Sequence, residues 1–329
     1  MQVRSAQYLQ YLSVGLLTLV LGCGGETNGG LVDGGGSGDD GGSVDDLGSP
    51  PDLTVVPDCT GKSMSMTGTQ SRTISVGTSK RTYIVHVPPG YDPSKFTSVV
   101  FAFHGFTTQA TDFVKNIGIE AASDQRNFLA VIPQGSGVVP SWNAGGCCGE
   151  AQTFNTDDVG FVKTLLASLR SEFCVDNKRV FAMGHSNGGF MVNRLACEMG
   201  DDFAAIGPNS AGLVFSPCKP TRPVPVYYMH GDADLVVFYG GGFPLGWNGA
   251  KNTFDGWGTR NSCTTPAKVT SQSGKVTCQT YAPCAAGADV NLCTISGGDH
   301  VWPSSTTDTQ RYADGTKSYL DFFATHPKP

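Results

Sequence analysis

Short apolar runs bounded by turn residues alternate along this chain with longer stretches in which apolar side chains recur every three to four positions. The first pattern marks strands buried on both faces, and the second marks helices that cover them. Strands are predicted at Thr82–Val87, Ser98–Phe103, Phe128–Ile132, Val180–Met183, Ala204–Ile206, Val224–Met229 and Cys293–Ser296. Helices are predicted over Ala110–Gln125, Asp158–Phe173, Gly188–Met199, Ala250–Asn261 and Tyr312–Ala324. That order implies an α/β fold, one mostly parallel sheet with helices on both faces. Functional groups in such sheets gather beyond the carboxyl ends of the strands, so the residues just after each run are the ones to inspect.

The strand at Val180–Met183 leads straight into Gly184-His185-Ser186-Asn187-Gly188 and then into a helical pattern. A G-x-S-x-G turn in that setting lifts its serine clear of the sheet, where a base can take its proton. Glycines two residues either side leave room for the tight turn. Ser186 is therefore the expected nucleophile.

The chain has six histidines from which to draw a base. His86 lies inside a strand, His326 lies in the tail, and His185 stands on the wrong side of the turn. His104 and His230 each end a strand and precede glycine, positions suited to bracing loops. His300 sits in a loop beyond the last strand, free to reach back over the sheet, and is the expected base. A carboxylate must hold its tautomer. The strand ending at Met229 runs into Asp232 and Asp234; Asp234 lies past the tight His-Gly turn and is preferred, with Asp232 as runner-up. The order Ser186, Asp234, His300 is that of α/β-hydrolases. Two backbone donors are expected to receive the oxyanion, one from Asn187 and one from Phe106, with Thr107 as the alternative. Phe106 is also expected to form part of the pocket wall. His185, Trp142 and Trp302 are placed with it as substrate-binding residues, the two tryptophans as platforms for an aromatic acyl group.

At these residues the chain resembles the secreted esterases that include feruloyl esterases and polyhydroxybutyrate depolymerase-like esterases. The resemblance is carried by Phe103-His104-Gly105, Pro133-Gln134-Gly135, Ser141-Trp142-Asn143, Asp157 to Phe161, the serine turn, Leu195-Ala196-Cys197, Pro225 to Asp234, Tyr239-Gly240-Gly241 and His300-Val301-Trp302-Pro303. It implies a single α/β-hydrolase domain with Ser186, Asp234 and His300 as a triad, no metal or organic cofactor, and ester substrates bearing an aromatic or hydroxyacyl group. Two positions depart from the pattern: Asp299 stands where glycine is common before the histidine, and Phe238 where proline is common. The expected activity is that of a feruloyl esterase on plant polysaccharide such as xylan. A short-chain polyester depolymerase is the alternative, and a catalytically inactive surface binding protein is the reading from another class.

The ends of the chain change where this enzyme is expected to act. Residues 1–22 carry one base, Arg4, and an apolar stretch from Tyr11 to Leu21 too short to span a bilayer, which reads as an export signal. Val20-Leu21-Gly22-Cys23 resembles a lipoprotein processing site, with Cys23 lipidated; residues 23–57 then form a Gly/Asp/Ser/Pro linker with seven acids and no base. Such a linker is solvated and reaches about 30 Å. The chain's net charge of −6 lies outside residues 58–329, which are neutral. A neutral domain has no electrostatic footprint for nucleic acid, and the lipid is its sole membrane attachment; a monomer is expected. Apart from Cys23, ten of the eleven cysteines remain, an even number in an exported chain, so disulfides are expected. Adjacent Cys147 and Cys148 are expected to take separate partners.

Overall fold

In this computed structural model the described residues are 59–62, 66–242, 246–304 and 313–329. The expected signal, the lipidated Cys23 and the linker lie outside them. Twelve strands occur in the described chain: β1 (Gly68–Val76), β2 (Ser79–Val87), β3 (Thr97–Phe103), β4 (Leu129–Pro133), β5 (Val175–His185), β6 (Ala205–Asn209), β7 (Val226–Gly231), β8 (Gly241–Gly242), β9 (Trp247–Asn248), β10 (Lys268–Ser273), β11 (Val276–Tyr281) and β12 (Val290–Ile295). The helices are α1 (Ala110–Ile117), α2 (Ile119–Arg126), α3 (Gly149–Thr153), α4 (Asp158–Glu172), α5 (Asn187–Glu198), α6 (Ala250–Arg260) and α7 (Gly315–Thr325).

Ten strands form one sheet in the order β1-β2-β4-β3-β5-β6-β7-β12-β11-β10, with β8 and β9 paired separately. From β4 to β12 every neighbour is parallel, while β1, β2, β11 and β10 add antiparallel margins. Both faces of the parallel centre are covered, which is why its strands read as continuous apolar runs. One face packs on α4, α5 and α6 through Phe161, Leu165, Phe190, Met191, Phe254 and Trp257. The other packs on α1, α2 and α7 through Phe113, Ile117, Ile119, Tyr319 and Phe323.

The predicted helix over Ala110–Gln125 is two helices. Gly118, at φ 62°, closes α1 in the left-handed conformation and starts α2 in a new direction. The predicted strand Val180–Met183 extends back to Val175, where the run of polar residues Asp176 to Arg179, with Lys178 and Arg179 exposed, hides it. Among the described residues no helix is long and apolar enough to cross a membrane.

Cys59–Cys174, Cys197–Cys218, Cys263–Cys284 and Cys278–Cys293 are disulfide-bonded. The last pair faces across the β11–β12 register. Cys147 and Cys148 bond to each other, which corrects the expectation of separate partners. Every other cysteine described is already paired, and the turn that holds these two is closed by Ala144 N–H to Cys147 O and Cys148 N–H to Trp142 O. Near Cys59, Lys62 Nζ donates to the carbonyls of Arg170 and Ser171 at the end of α4.

Candidate active site

The carboxyl ends of β3, β5, β6, β7 and β12 align at one edge of the sheet, with Phe103 opposite Gly184, His185 opposite Asn209, and Gly231 opposite Ile295. Ser186 sits between β5 and α5 at φ 53°, ψ −122°. That conformation costs a non-glycine residue on the order of 1–3 kcal/mol and is held by its surroundings. The Ser186 N–H donates to Asn209 O at 2.9 Å, and Ser186 O accepts from Phe190 at 2.9 Å. The flanking glycines are sterically required. A Cβ at Gly184 would stand 2.5 Å from Gly188 O, and one at Gly188 would overlap the Phe103 carbonyl.

His300 Nε2 lies 2.8 Å from Ser186 Oγ, and His300 Nδ1 lies 2.7 Å from Asp234 Oδ2. A carboxylate only accepts, so Nδ1 carries the proton and Nε2 is left to accept from the serine hydroxyl. The buried Asp234 also accepts at Oδ1 from Val236 and Val237 N–H, at 2.9 and 2.8 Å. Burial raises this carboxyl, but the hydrogen bonds and charges of His230 and His300 outweigh it and hold it well below the usual carboxylate range. Asp234 is therefore ionised throughout the neutral pH range. Asp232 is exposed and accepts the Gly297 N–H at 2.6 Å, which pins the loop leading to His300 without touching its ring.

His230 is buried beneath Asp234, with Nε2 2.8 Å from Val237 O and 3.3 Å from Asp234 Oδ2. His104 braces the loop after β3: Nδ1 donates to Gly105 O at 2.8 Å and Nε2 accepts the Gly135 N–H at 2.8 Å. The second bond requires an unprotonated Nε2 and therefore a neutral ring. Burial, opposed by the Gly105 bond and reinforced by the Arg81 charge, pushes its pKa down to about 4. The unfolded histidine titrates near 6.5, so as pH falls below that value the unfolded chain gains a proton that folded His104 refuses. Its contribution to stability is full above pH 6.5 and is lost as pH falls toward 4. Between pH 6.5 and 5 the wild type should lose about 2 kcal/mol more than His104→Gln in urea unfolding; equal losses would refute this account.

His185 lies beside the site, its ring centroid 4.8 Å from that of His300. Its Nδ1 is 2.6 Å from Asn209 Oδ1. Burial first, then the neighbouring His300, pushes it down to about 3 despite the Asn209 bond, so it stays neutral. Asn209, which holds both His185 and Ser186, was outside the predicted strand Ala204–Ile206. Its signal was position alone: three residues on, at the same sheet edge.

Gly105 packs on the serine, since a Cβ there would lie 3.4 Å from Ser186 Cβ. Thr107 donates its N–H to Pro140 O at 3.0 Å, which commits the alternative oxyanion donor elsewhere and leaves the preference with Phe106. Phe106 is 42% exposed and its ring lies against Gly149. Asn187 is the first residue of α5, where the helix supplies no acceptor for its N–H.

The two tryptophans are corrected. Trp142 is 0% exposed, edge-on to Phe103, with Nε1 donating to His104 O at 3.0 Å. Trp302 is 9% exposed and lies on the α1/α7 side of the sheet, against Phe113 and Tyr319, with Nε1 donating to Thr316 Oγ1 at 3.1 Å. Trp142 has no surface open to a ligand, and the little that Trp302 leaves open lines a cavity of about 410 Å³ with Lys115, Arg126 and Leu320 on the α1, α2 and α7 side of the sheet. Large aromatics satisfy their apolar surface by burial wherever a partner exists for the indole N–H. Trp302→Ala should therefore lower stability by about 3–5 kcal/mol and lower turnover equally on methyl ferulate and a butyrate ester. A loss confined to the ferulate would return Trp302 to the cleft.

Among the described residues no group of three or more His, Cys, Asp and Glu side chains is arranged to hold a metal. A parallel sheet covered on both faces, with a serine on a strained strand-to-helix turn and a histidine and aspartate arriving from later strand ends, defines the α/β-hydrolase fold. The chain belongs to the Esterase family ("Putative esterase"), whose sequence profile matches residues 75–293. It is similar to Feruloyl esterase B of Piromyces equi, with 33% identity over 237 residues, 67% of this chain and 42% of that protein. It is similar to a bifunctional acetylxylan esterase/xylanase of Neocallimastix patriciarum, with 26% identity over 224 residues, 67% of this chain and 31% of that protein. The chain thus spans less than half the length of each of these relatives. Among solved structures, an acetyl xylan esterase from Aspergillus awamori has a TM-score of 0.59 at 16% identity, covering 78% of this chain and 99% of that one, a likeness of fold.

Proposed function

We propose that the chain is an exported serine esterase that hydrolyses carboxylic esters through a covalent acyl-enzyme, with feruloyl or similar side groups on plant polysaccharide as substrates. The observation that carries this reading is the unbroken line from Ser186 through His300 to Asp234, with contacts of 2.8 and 2.7 Å. Ser186 Oγ attacks the ester carbonyl and passes its proton to His300 Nε2. The oxyanion is met by the N–H groups of Asn187 and Phe106. His300 then returns the proton to the leaving alcohol, and water repeats the sequence on the acyl-enzyme. Asp234 holds the imidazole in the required tautomer and stabilises it when protonated.

The names of the relatives favour feruloyl and xylan-borne esters, and Phe106 supplies an exposed aromatic on the loop that packs on Ser186. One observation favours a short-chain polyester depolymerase instead: with Trp142 and Trp302 buried, both expected aromatic platforms are gone. In this reading residues 1–22 direct export, Cys23 carries the lipid, and 23–57 tether a monomeric domain over 58–329. Five disulfides suit an oxidising compartment. The test is a panel of methyl ferulate, feruloylated xylo-oligosaccharide, acetylated xylan and 3-hydroxybutyrate oligomers offered to the purified protein. Ferulate esters should be turned over at least about tenfold faster than the hydroxybutyrates, a difference of about 1.4 kcal/mol in the barrier. The reverse ranking selects the depolymerase, and no turnover of any ester leaves a binding protein.

A further inference from the structure

The residue after a nucleophilic serine serves the oxyanion with its backbone N–H, a task that places no demand on its side chain. Asn187 is nonetheless wholly buried, and its carboxamide is committed to the main chain of one residue 45 positions away. Asn187 Oδ1 accepts the Trp142 N–H at 2.7 Å, and Asn187 Nδ2 donates to Trp142 O at 3.0 Å. Trp142 reaches the other way as well, through its indole N–H, to His104 O at 3.0 Å. His104 leads into Gly105 and Phe106, the loop with the second donor. Trp142 therefore spans the two halves of the oxyanion pocket.

The span is anchored at its next residue. Asn143 gives its N–H to Asp158 Oδ2 at 2.8 Å, and its carbonyl accepts from Arg194 Nη1 at 2.7 Å. Asp158 is itself wholly buried and pairs through Oδ1 with Arg81 Nη2 at 2.7 Å. The Arg81 guanidinium lies 4.1 Å from the centre of the Phe161 ring and donates to Gln134 O at 3.2 Å. A buried ion pair is a poor source of stability, because desolvation offsets the attraction and an apolar pair of equal volume often does as well. What this pair supplies is a fixed acceptor for the Asn143 N–H.

We infer that the Asn187 carboxamide, Trp142 and the Asp158–Arg81 pair are positioning residues that set the spacing between the two oxyanion donors. The inference rests on the reading of Ser186 as nucleophile and of the Asn187 and Phe106 N–H groups as those donors. Oxyanion donors must sit about 2.7–3.1 Å from where the charge develops, and a misplacement of about 1 Å can cost about 10²-fold.

The test uses the full chain carrying Asn187→Ala, Asp158→Asn, or both. Asn187→Ala keeps the backbone N–H and removes only the clamp. Each single variant should lower kcat about 10- to 100-fold with KM changed less than about twofold. The affinity of a trifluoromethyl ketone, which forms a tetrahedral oxyanion on the serine, should fall in parallel. The double variant should fall no further than the worse single one, since both cut the same strut. Where Asp158→Asn does not fold, Trp142→Phe keeps an aromatic ring, loses the bond to His104 O, and should still lower kcat about tenfold. Folded variants with unchanged kcat, or losses that multiply in the double variant, overturn the inference. Ser186→Ala separates the two failures. If it stays active, the nucleophile reading falls, and if it is inert while Asn187→Ala keeps full kcat, only the strut falls.

Discussion

Ser186→Ala is expected to lower kcat on p-nitrophenyl acetate by about 10⁶-fold while leaving the melting temperature near that of the wild type. The size follows from the geometry. Without Oγ there is no atom for His300 to deprotonate at 2.8 Å and no acyl-enzyme to form, so only binding and the oxyanion donors remain. The fold should persist because the turn is held by backbone bonds, from Ser186 N–H to Asn209 O and from Phe190 N–H to Ser186 O, which alanine retains. An organophosphonate inhibitor should add its mass to the Ser186 peptide of the wild type and to no peptide of the variant. Labelling elsewhere, or turnover within tenfold of wild type, would move the nucleophile.

The second large effect separates two aspartates only two residues apart. Asp234→Asn should lower kcat by about 10⁴-fold, because an amide can present its NH₂ to His300 Nδ1, stabilise the wrong tautomer and leave the imidazolium without its counter-charge. Asp232→Asn should change kcat by less than about threefold, since an amide oxygen still accepts the Gly297 N–H and its loss of charge lies at an exposed turn. The two variants, assayed together across pH 5 to 9, decide the assignment. Comparable losses in both would mean that the loop held by Asp232 matters as much as the carboxylate beneath His300.

The parts of this site that the sequence revealed are those governed by local sterics or by position along the sheet. Gly184 and Gly188 are needed because a side chain at either meets the main chain, and that requirement is written within five residues. Asp234 and His300 were legible as polar residues placed after apolar runs, because a parallel sheet collects its strand ends at one edge. Trp302, two residues after His300, and Trp142, on a strand-end loop, were misjudged for a matching reason: neither proximity to a reactive residue nor a place after a strand says which way a ring falls. The clamp between Asn187 and Trp142 was invisible, since it joins residues far apart and uses only a carboxamide and a peptide group.

The fold was legible at its parallel centre and obscure at its margins. β1 alternates between exposed and half-buried positions with few strongly apolar residues, and β10 is exposed at every residue, so neither carries the apolar contrast that marks a strand. Their pairing is set by the neighbours β2 and β11 rather than by their own composition.

The disulfide from Cys59 to Cys174 ties the start of the described domain to the end of the central strand farthest from the nucleophile. Cys174 immediately precedes β5, whereas Ser186 immediately follows it, and eleven extended residues separate the two, roughly 35 Å of strand. Cys59 is thus fixed at the end of β5 opposite the nucleophile, and Lys62 adds to that attachment at the end of α4.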